Sequence, residues 1–268
     1  MQTLQLNIQN YIAHVKINRP EKANALDQTA WNEIEILFTE LDENDDVRVV
    51  VIEGGESKHF CAGIDLSLLM SVSQNNITCE ARRREKIRKD VLKLQAPINA
   101  IENCSKPVLA AIHGGCIGGG IDLVVACDMR YCTDDAYFTI KEIDMGMVAD
   151  LGTLQRLPKL IGEGMMREMA FTGRNVEGQE AEKIGIVNRS FTGKETMLNE
   201  VMKIAETIAA KSPVSIRGTK HILLHTRDYS VADGLNYVAT WNAAMLLSND
   251  LQEAFFAKME KREAKFEG

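Results

Sequence analysis

The chain has 268 residues, of which 45% are hydrophobic and 26% charged, an ordinary balance for a globular protein with a sizeable core. A formal net charge of −7 argues against a general nucleic-acid or anionic-membrane binder, while leaving room for a local basic patch. No apolar run approaches the ~20 residues of a membrane-spanning helix. The N-terminus enters an alternating pattern directly, without a signal peptide, and the C-terminal Lys265-Phe-Glu-Gly268 is not a Ser-Lys-Leu-type address, so the expected location is cytoplasmic. Six cysteines show neither a CxxC pair nor zinc-ligand spacing and read as buried free thiols.

In chain order, Leu4–Ile8 and Ile12–Ile17 alternate and predict two half-buried strands around a turn at Gln9-Asn10-Tyr11. Asp27 is placed to cap a helix whose apolar positions are Trp31, Ile34, Leu37, Phe38 and Leu41. Val47–Ile52 is continuously apolar, as in a buried parallel strand. A small-residue turn, Phe60-Cys-Ala-Gly-Ile-Asp-Leu66, leads to a helical or mixed segment reaching about Val72. Residues 73–78 are polar and read as a loop. Glu80 to Glu102 predicts a long helix, with its basic run from Arg82 to Lys89 on a solvated face.

Lys106–His113 predicts a strand, followed by glycine at five of the next seven positions and an apolar run from Ile121 to Ala126. Strand, glycine turn and helix aim unpaired backbone N–H groups at a ligand, because the first amides of a helix have no internal partner. Short strands follow at Met129–Cys132 and Tyr137–Ile140, then an acidic connector from Lys141 to Gly152. Helices are expected over Thr153–Ile161 (bent near Pro158), Gly164–Thr172 and Glu177–Gly185, with a strand at Ile186–Phe191. Beyond Lys194 the pattern is helical almost throughout, to about Phe266. The expected class is α/β, with an alternating body over residues 1–194 and a helical region over 195–268, packed on the body or on a neighbouring subunit.

Both glycine turns follow apolar strands. Parallel strands in one sheet would bring both turns to one edge, where one amide from each, Ile64 and Gly119, could converge on a carbonyl oxygen as an oxyanion hole. Tight turns made for packing alone are the alternative. The dinucleotide and Walker patterns are absent. Asp122, Glu142 and Asp150 stand among apolar and small residues. Burial there would raise a carboxyl into the range useful for proton transfer; caps or satisfied salt bridges are the competing reading. The five histidines form no triad pattern, no serine-nucleophile motif occurs, and no residues carry metal-ligand spacing. The methionines at 145, 147, 165, 166 and 169 fit either core filling or an apolar substrate tunnel.

These segments together resemble the enoyl-CoA hydratase/isomerase (crotonase) superfamily. The resemblance rests on Asn18-Arg-Pro with Asn24-Ala-Leu26, Phe60-Cys-Ala-Gly-Ile-Asp65, Lys106-Pro107 through Ala111-Ile-His-Gly to Gly118-Gly-Gly-Ile-Asp122, Cys127-Asp128, and Gly152-Thr with Gln155-Arg-Leu157. It spans nearly the whole chain in family order. It implies a crotonase-like spiral of ββα units, C-terminal helical oligomerisation elements, homotrimers often paired into hexamers, and an acyl-CoA thioester ligand with no metal or redox cofactor. By the resemblance, the amides of Ile64 and Gly119 hold the thioester oxygen, the Ala62 carbonyl receives the adenine amino group, and Ala25, Gly63, Asp65 and Leu66 complete the CoA-binding loops. Hydratases of the family carry glutamates at the positions of Asp122 and Glu142, and a glycine at that of Asp150. The two aspartates here make the chain look like the Δ3,5-Δ2,4-dienoyl-CoA isomerase branch. The implied reaction is a 1,5-proton shift, with Glu142 at C2, Asp150 at C6 and Asp122 tuning the pair. The alternatives are an enoyl-CoA hydratase, a Δ3,Δ2-enoyl-CoA isomerase, or a non-catalytic RNA-binding or scaffolding homologue.

Overall fold

The computed structural model describes residues 1–73 and 77–267; the central part of the expected loop at 73–78 lies outside the described residues. The elements run β1 (Leu4–Gln9), β2 (Ile12–Ile17), α1 (Gln28–Glu43), β3 (Val49–Glu53), α2 (Leu66–Ser73), α3 (Glu80–Asn103), β4 (Val108–Ile112), β5 (Gly115–Ile117) and α4 (Gly119–Val125). They continue with β6 (Met129–Thr133), β7 (Tyr137–Thr139), α5 (Thr153–Arg156), α6 (Glu163–Thr172), β8 (Val176–Glu177), α7 (Gly178–Ile184) and β9 (Arg189–Phe191). Four helices close the chain: α8 (Lys194–Ala209), α9 (Pro213–Thr226), α10 (Val231–Met245) and α11 (Asn249–Glu260).

Six strands form the main sheet in the order β1-β2-β3-β4-β6-β9. The β1–β2 hairpin is antiparallel and every other neighbour in this sheet is parallel. The hairpin turn sits where the sequence places it. Asn10 and Tyr11 both take positive φ, 52° and 63°, a geometry that matches the twist of the two strands.

Side-chain alternation divides the core. Val50 and Ile52 of β3, with Val108, Ala110 and Ile112 of β4, face one apolar layer, which also takes Trp31, Ile34, Phe38 and Leu41 of α1. Val49 and Val51, with Leu109 and Ala111, face the other layer, which Met197, Val201, Ala205 and Ala209 of α8 cover at four-residue spacing. A strand buried on both faces reads as continuously apolar, which is why β3 and β4 lack polar alternation. The α1 cap forms as expected: the Ala30 amide donates to the Asp27 carboxylate at 2.9 Å.

Three local readings change. The glycine stretch is not one turn: β5 interrupts it and builds a second sheet, β5-β7-β8. The acidic connector begins with a single 3-10 turn, Glu142–Met145. The last helix stops at Glu260, where Lys261 turns left-handed; the tail returns to the body, and its Phe266 carbonyl accepts from the Arg48 guanidinium at 2.8 Å. Among the described residues no helix is long and apolar enough to cross a membrane.

Candidate active site

Parallel pairing of β3 with β4 delivers both glycine-containing turns to one edge of the main sheet. The first turn then lies between two other backbone segments. Leu26 bridges Ile64, and Cys61 bridges Cys116, with the Ile117 amide donating to the Cys61 carbonyl at 3.0 Å and the Leu26 amide to the Gly63 carbonyl at 2.8 Å. Asn24 fixes this stack from inside. Its side-chain amide reaches the carbonyls of Gly54 (2.7 Å), Phe60 (3.1 Å) and His59 (3.2 Å), while its oxygen accepts from the Arg19 amide at 3.0 Å.

The result is close approach of the two predicted amides. A Cβ built on Gly119 would stand 3.5 Å from the Ile64 nitrogen and 3.3 Å from its side chain. Gly63, at φ +92°, brings its α-carbon against the Ile117 carbonyl and the Gly119 amide, leaving no space for a side chain. Among the described residues neither the Ile64 nor the Gly119 N–H has an acceptor. Two convergent free donors, one at the first residue of a helix, suit an oxygen that gains negative charge.

These amides open on a pocket of about 200 Å³ lined by Ala62, Gly63, Ile64, Leu66, Ile117, Gly118, Gly119, Lys141, Glu142, Met145 and Met147. Glu142 is the carboxylate on its wall. Gly118 lies so close that a Cβ there would be 3.1 Å from Glu142 Oε1, and Oε2 is buried without a hydrogen-bond partner among the described residues. Burial pushes this carboxyl up to about 7, and the negative charges of Asp122 and Asp150 push the same way.

Asp122, on the first turn of α4, is fully buried, 1% exposed. Its Oδ1 accepts from both the Thr153 amide and the Thr153 hydroxyl, each at 2.7 Å. Burial raises it to about 6 against those two bonds, and Asp150 adds to the rise. Asp150 is exposed between the buried Ala149 and Leu151, yet desolvation of its carboxyl raises it above the ordinary range. It lines a second, polar pocket of about 450 Å³ with Gln95, Glu102, Arg156, Lys159 and Arg227 among others. There Gln95 donates to the Asp150 carbonyl at 2.6 Å, and Glu102, paired with Arg156 at 2.7 Å and with Arg227, is held down to about 2 against its burial. Glu142, in the amide-lined pocket, therefore feels the charges of Asp122 and Asp150, and the buried Asp122 feels that of Asp150, which faces the polar pocket.

The remaining expected residues divide. Ala62, Gly63 and Leu66 line the first pocket. Ala25 sits beside it, its carbonyl accepting from the Arg19 guanidinium. The Asp65 carboxylate is occupied by Ser67, whose amide and hydroxyl donate at 3.0 and 2.7 Å, and by Arg19; those bonds hold it below the ordinary range. Sequence reasoning missed Thr153 as the partner of Asp122, although a Gly-Thr pair opening a helix was visible. It also missed Lys141 on the pocket wall, where its ammonium bonds the Gly173 carbonyl at 2.7 Å and Asp144 at 2.9 Å. Of the methionines, 145 and 147 border the pocket and 166 and 169 fill core. His59 accepts from the Gly115 amide at 2.9 Å, and the His113 ring meets the Ser57 carbonyl at 2.8 Å, so both brace loops. Burial pushes the thiols of Cys61, Cys127 and Cys132 up to about 12, which makes them inert. Among the described residues no group of three or more His, Cys, Asp or Glu converges on a metal site.

An α/β fold carrying a backbone donor pair beside buried carboxylates is suited to holding an oxygen that gains negative charge and to moving protons near it. The chain belongs to the enoyl-CoA hydratase/isomerase family, whose model matches residues 7–268. It is 48% identical over 99% of its length to a peroxisomal Δ(3,5)-Δ(2,4)-dienoyl-CoA isomerase of Arabidopsis thaliana, covering 96% of that protein. It is 47% identical over 96% of its length to the mitochondrial enzyme of the same name from Homo sapiens, covering 79% of it. Among solved structures, an enoyl-CoA hydratase from Bacillus anthracis superposes with a TM-score of 0.91 at 28% identity, with full coverage of both chains.

Proposed function

We propose that this chain isomerises 3,5-dienoyl-CoA thioesters to 2,4-dienoyl-CoA thioesters. The observation that carries the reading is the third acid: Asp150 adds its charge to the buried pair Asp122 and Glu142, at the position where the hydratase pattern has glycine. The names of the relatives point the same way. The thioester oxygen sits between the Ile64 and Gly119 amides, which places C2 against Glu142. The Glu142 carboxylate takes a proton from C2; the C2–H electron pair becomes the C1–C2 bond of a trienolate, with the charge on the held oxygen. As the carbonyl re-forms, the double bonds shift to C2–C3 and C4–C5, and C6 takes the proton of Asp150, which enters this step as the neutral acid while Glu142 entered as the carboxylate. A proton passing between the two acids resets the enzyme. Atoms and electrons balance without water, metal or redox cofactor.

Glu142 belongs at C2 in this scheme because it shares the pocket of the amide pair, whereas Asp150 lines the separate polar pocket. The CoA moiety runs over the loops containing Ala25, Ala62, Asp65 and Leu66, with the Ala62 carbonyl accepting from adenine. The working assembly is a homotrimer or a pair of trimers, consistent with strongly exposed apolar residues on and around α10 and α11, such as Leu247 and Phe255. The test is a two-substrate assay. A 3,5-dienoyl-CoA should gain conjugated-diene absorbance, and Asp150→Asn should abolish that gain. Efficient loss of 2-enoyl-CoA absorbance with no diene conversion makes the chain a hydratase and refutes the reading.

A further inference from the structure

We propose that Thr153 is a positioning residue that sets the proton affinity of the Glu142 base by holding the charge of Asp122 on one defined oxygen. The inference rests on the isomerase reading and adds to it a residue that need not touch substrate. Its geometric basis is an asymmetry in the Asp122 carboxylate. Oδ1 receives two donors, the amide and the hydroxyl of Thr153, both at 2.7 Å. Oδ2 is buried and has no hydrogen-bond partner among the described residues, and Glu142 Oε2 is in the same condition. Thr153 is itself only 1% exposed and opens α5, so its hydroxyl is held rather than free to turn to solvent.

Two donors on one oxygen favour the ionised carboxylate. They work against the burial that raises Asp122, while Glu142 is raised by its own burial and by the charge of Asp122. The charge that Asp122 carries raises the proton affinity of Glu142. A stronger base near working pH is what removal of a carbon-bound proton needs. The other groups acting on Asp122 are Asp150, whose charge opposes ionisation, and Arg156 of α5, whose charge favours it. The neighbouring thiols of Cys61 and Cys116 stay neutral. Glu142 senses Asp122 and Asp150. The threonine hydroxyl bonds Asp122 and not Asp150, Arg156 or these thiols.

The substitution that isolates the effect is Thr153→Val, which keeps shape and backbone N–H and removes only the hydroxyl. Asp122 then loses one of its two donors and holds its proton to higher pH, so less negative charge faces Glu142. The acidic limb of the kcat/KM profile should move to lower pH by about half a pH unit or more. kcat on the plateau should fall several-fold because the base is weaker, with KM little changed. Thr153→Ser, which restores the hydroxyl, should return both. A carboxyl titration of the substrate-free protein by 13C NMR gives a readout independent of turnover. Glu142 should titrate lower in Thr153→Val and at the wild-type position in Thr153→Ser. A Thr153→Val enzyme that loses kcat or melting temperature with an unmoved limb and an unmoved Glu142 titration overturns the proposal, leaving a packing role. Should the wild type fail to convert dienoyl-CoA at all, the isomerase reading falls, while the NMR titration still decides whether Thr153 governs Glu142.

Discussion

Replacing Glu142 with Gln should make the protein inactive and, at alkaline pH, more stable. The folded state holds the Glu142 carboxyl at about 7, against an ordinary value of 4.5, chiefly by burial. A group whose folded pKa is raised contributes stability that is complete below the unfolded value and lost as pH climbs through the folded one. The loss therefore runs between about pH 4.5 and 7, and at roughly 1.4 kcal/mol per pH unit it reaches about 3 kcal/mol above neutrality. Glutamine does not ionise, so Glu142→Gln escapes that loss. Its extra amide donor in a buried position costs something at every pH, and comparing two pH values cancels this constant. The assay is thermal unfolding of both proteins at about pH 5 and pH 8. For a chain of this size about 3 kcal/mol corresponds to roughly 6 °C or more. The variant should gain that much on the wild type between the two conditions. In parallel, diene formation should fall by about 10²–10⁴-fold, the usual contribution of a general base. Parallel pH dependences of melting temperature would show that Glu142 titrates normally, and near-wild-type turnover would remove it from the chemistry.

Asp150→Asn should lower dienoyl-CoA isomerisation at least about 100-fold with little change in urea midpoint, since this carboxyl is not buried in the core; retained turnover would falsify its role at C6. Gly63→Ala places a methyl 2.9 Å from the Ile117 carbonyl at φ +92°, so the first donor loop must shift. A loss of one oxyanion donor's worth, about 10²–10³-fold in kcat, is expected, with a modest effect on KM. Asn24→Ala strips three carbonyls of their shared donor and should cost about 2–4 kcal/mol by chemical denaturation; a loss below about 0.5 kcal/mol would mean those carbonyls find other partners.

Asn24, Gly63 and Gly119 illustrate how far a one-dimensional pattern reaches. The strands, the α1 cap, the hairpin turn and the two small-residue turns were legible because each depends on neighbours in sequence: alternation, a capping side chain, residues tolerant of positive φ. The two turns also marked the donor pair, and apolar or small-residue context marked three candidate acids; the family resemblance attached roles to them. The division of the core into two layers was implicit in the unbroken apolar runs of β3 and β4, but which helix covers each face was not.

Only the tertiary structure decided how the acids differ. Asp122, Glu142 and Asp150 are alike in sequence: short-range context gives each a carboxylate among apolar or small residues. Folding places Asp122 under two bonds from Thr153, Glu142 on a pocket wall with one oxygen unpartnered, and Asp150 toward a polar cavity built around Arg156, Glu102 and Arg227. Proton affinity is set by desolvation, by nearby charge and by hydrogen bonds. All three come from residues brought together across the chain, from α3 to α9. The sequence by itself determined which residues could bear the chemistry, because backbone donors and carboxylates are fixed by residue type and local turn. How tightly each of them holds a proton was decided by long-range packing.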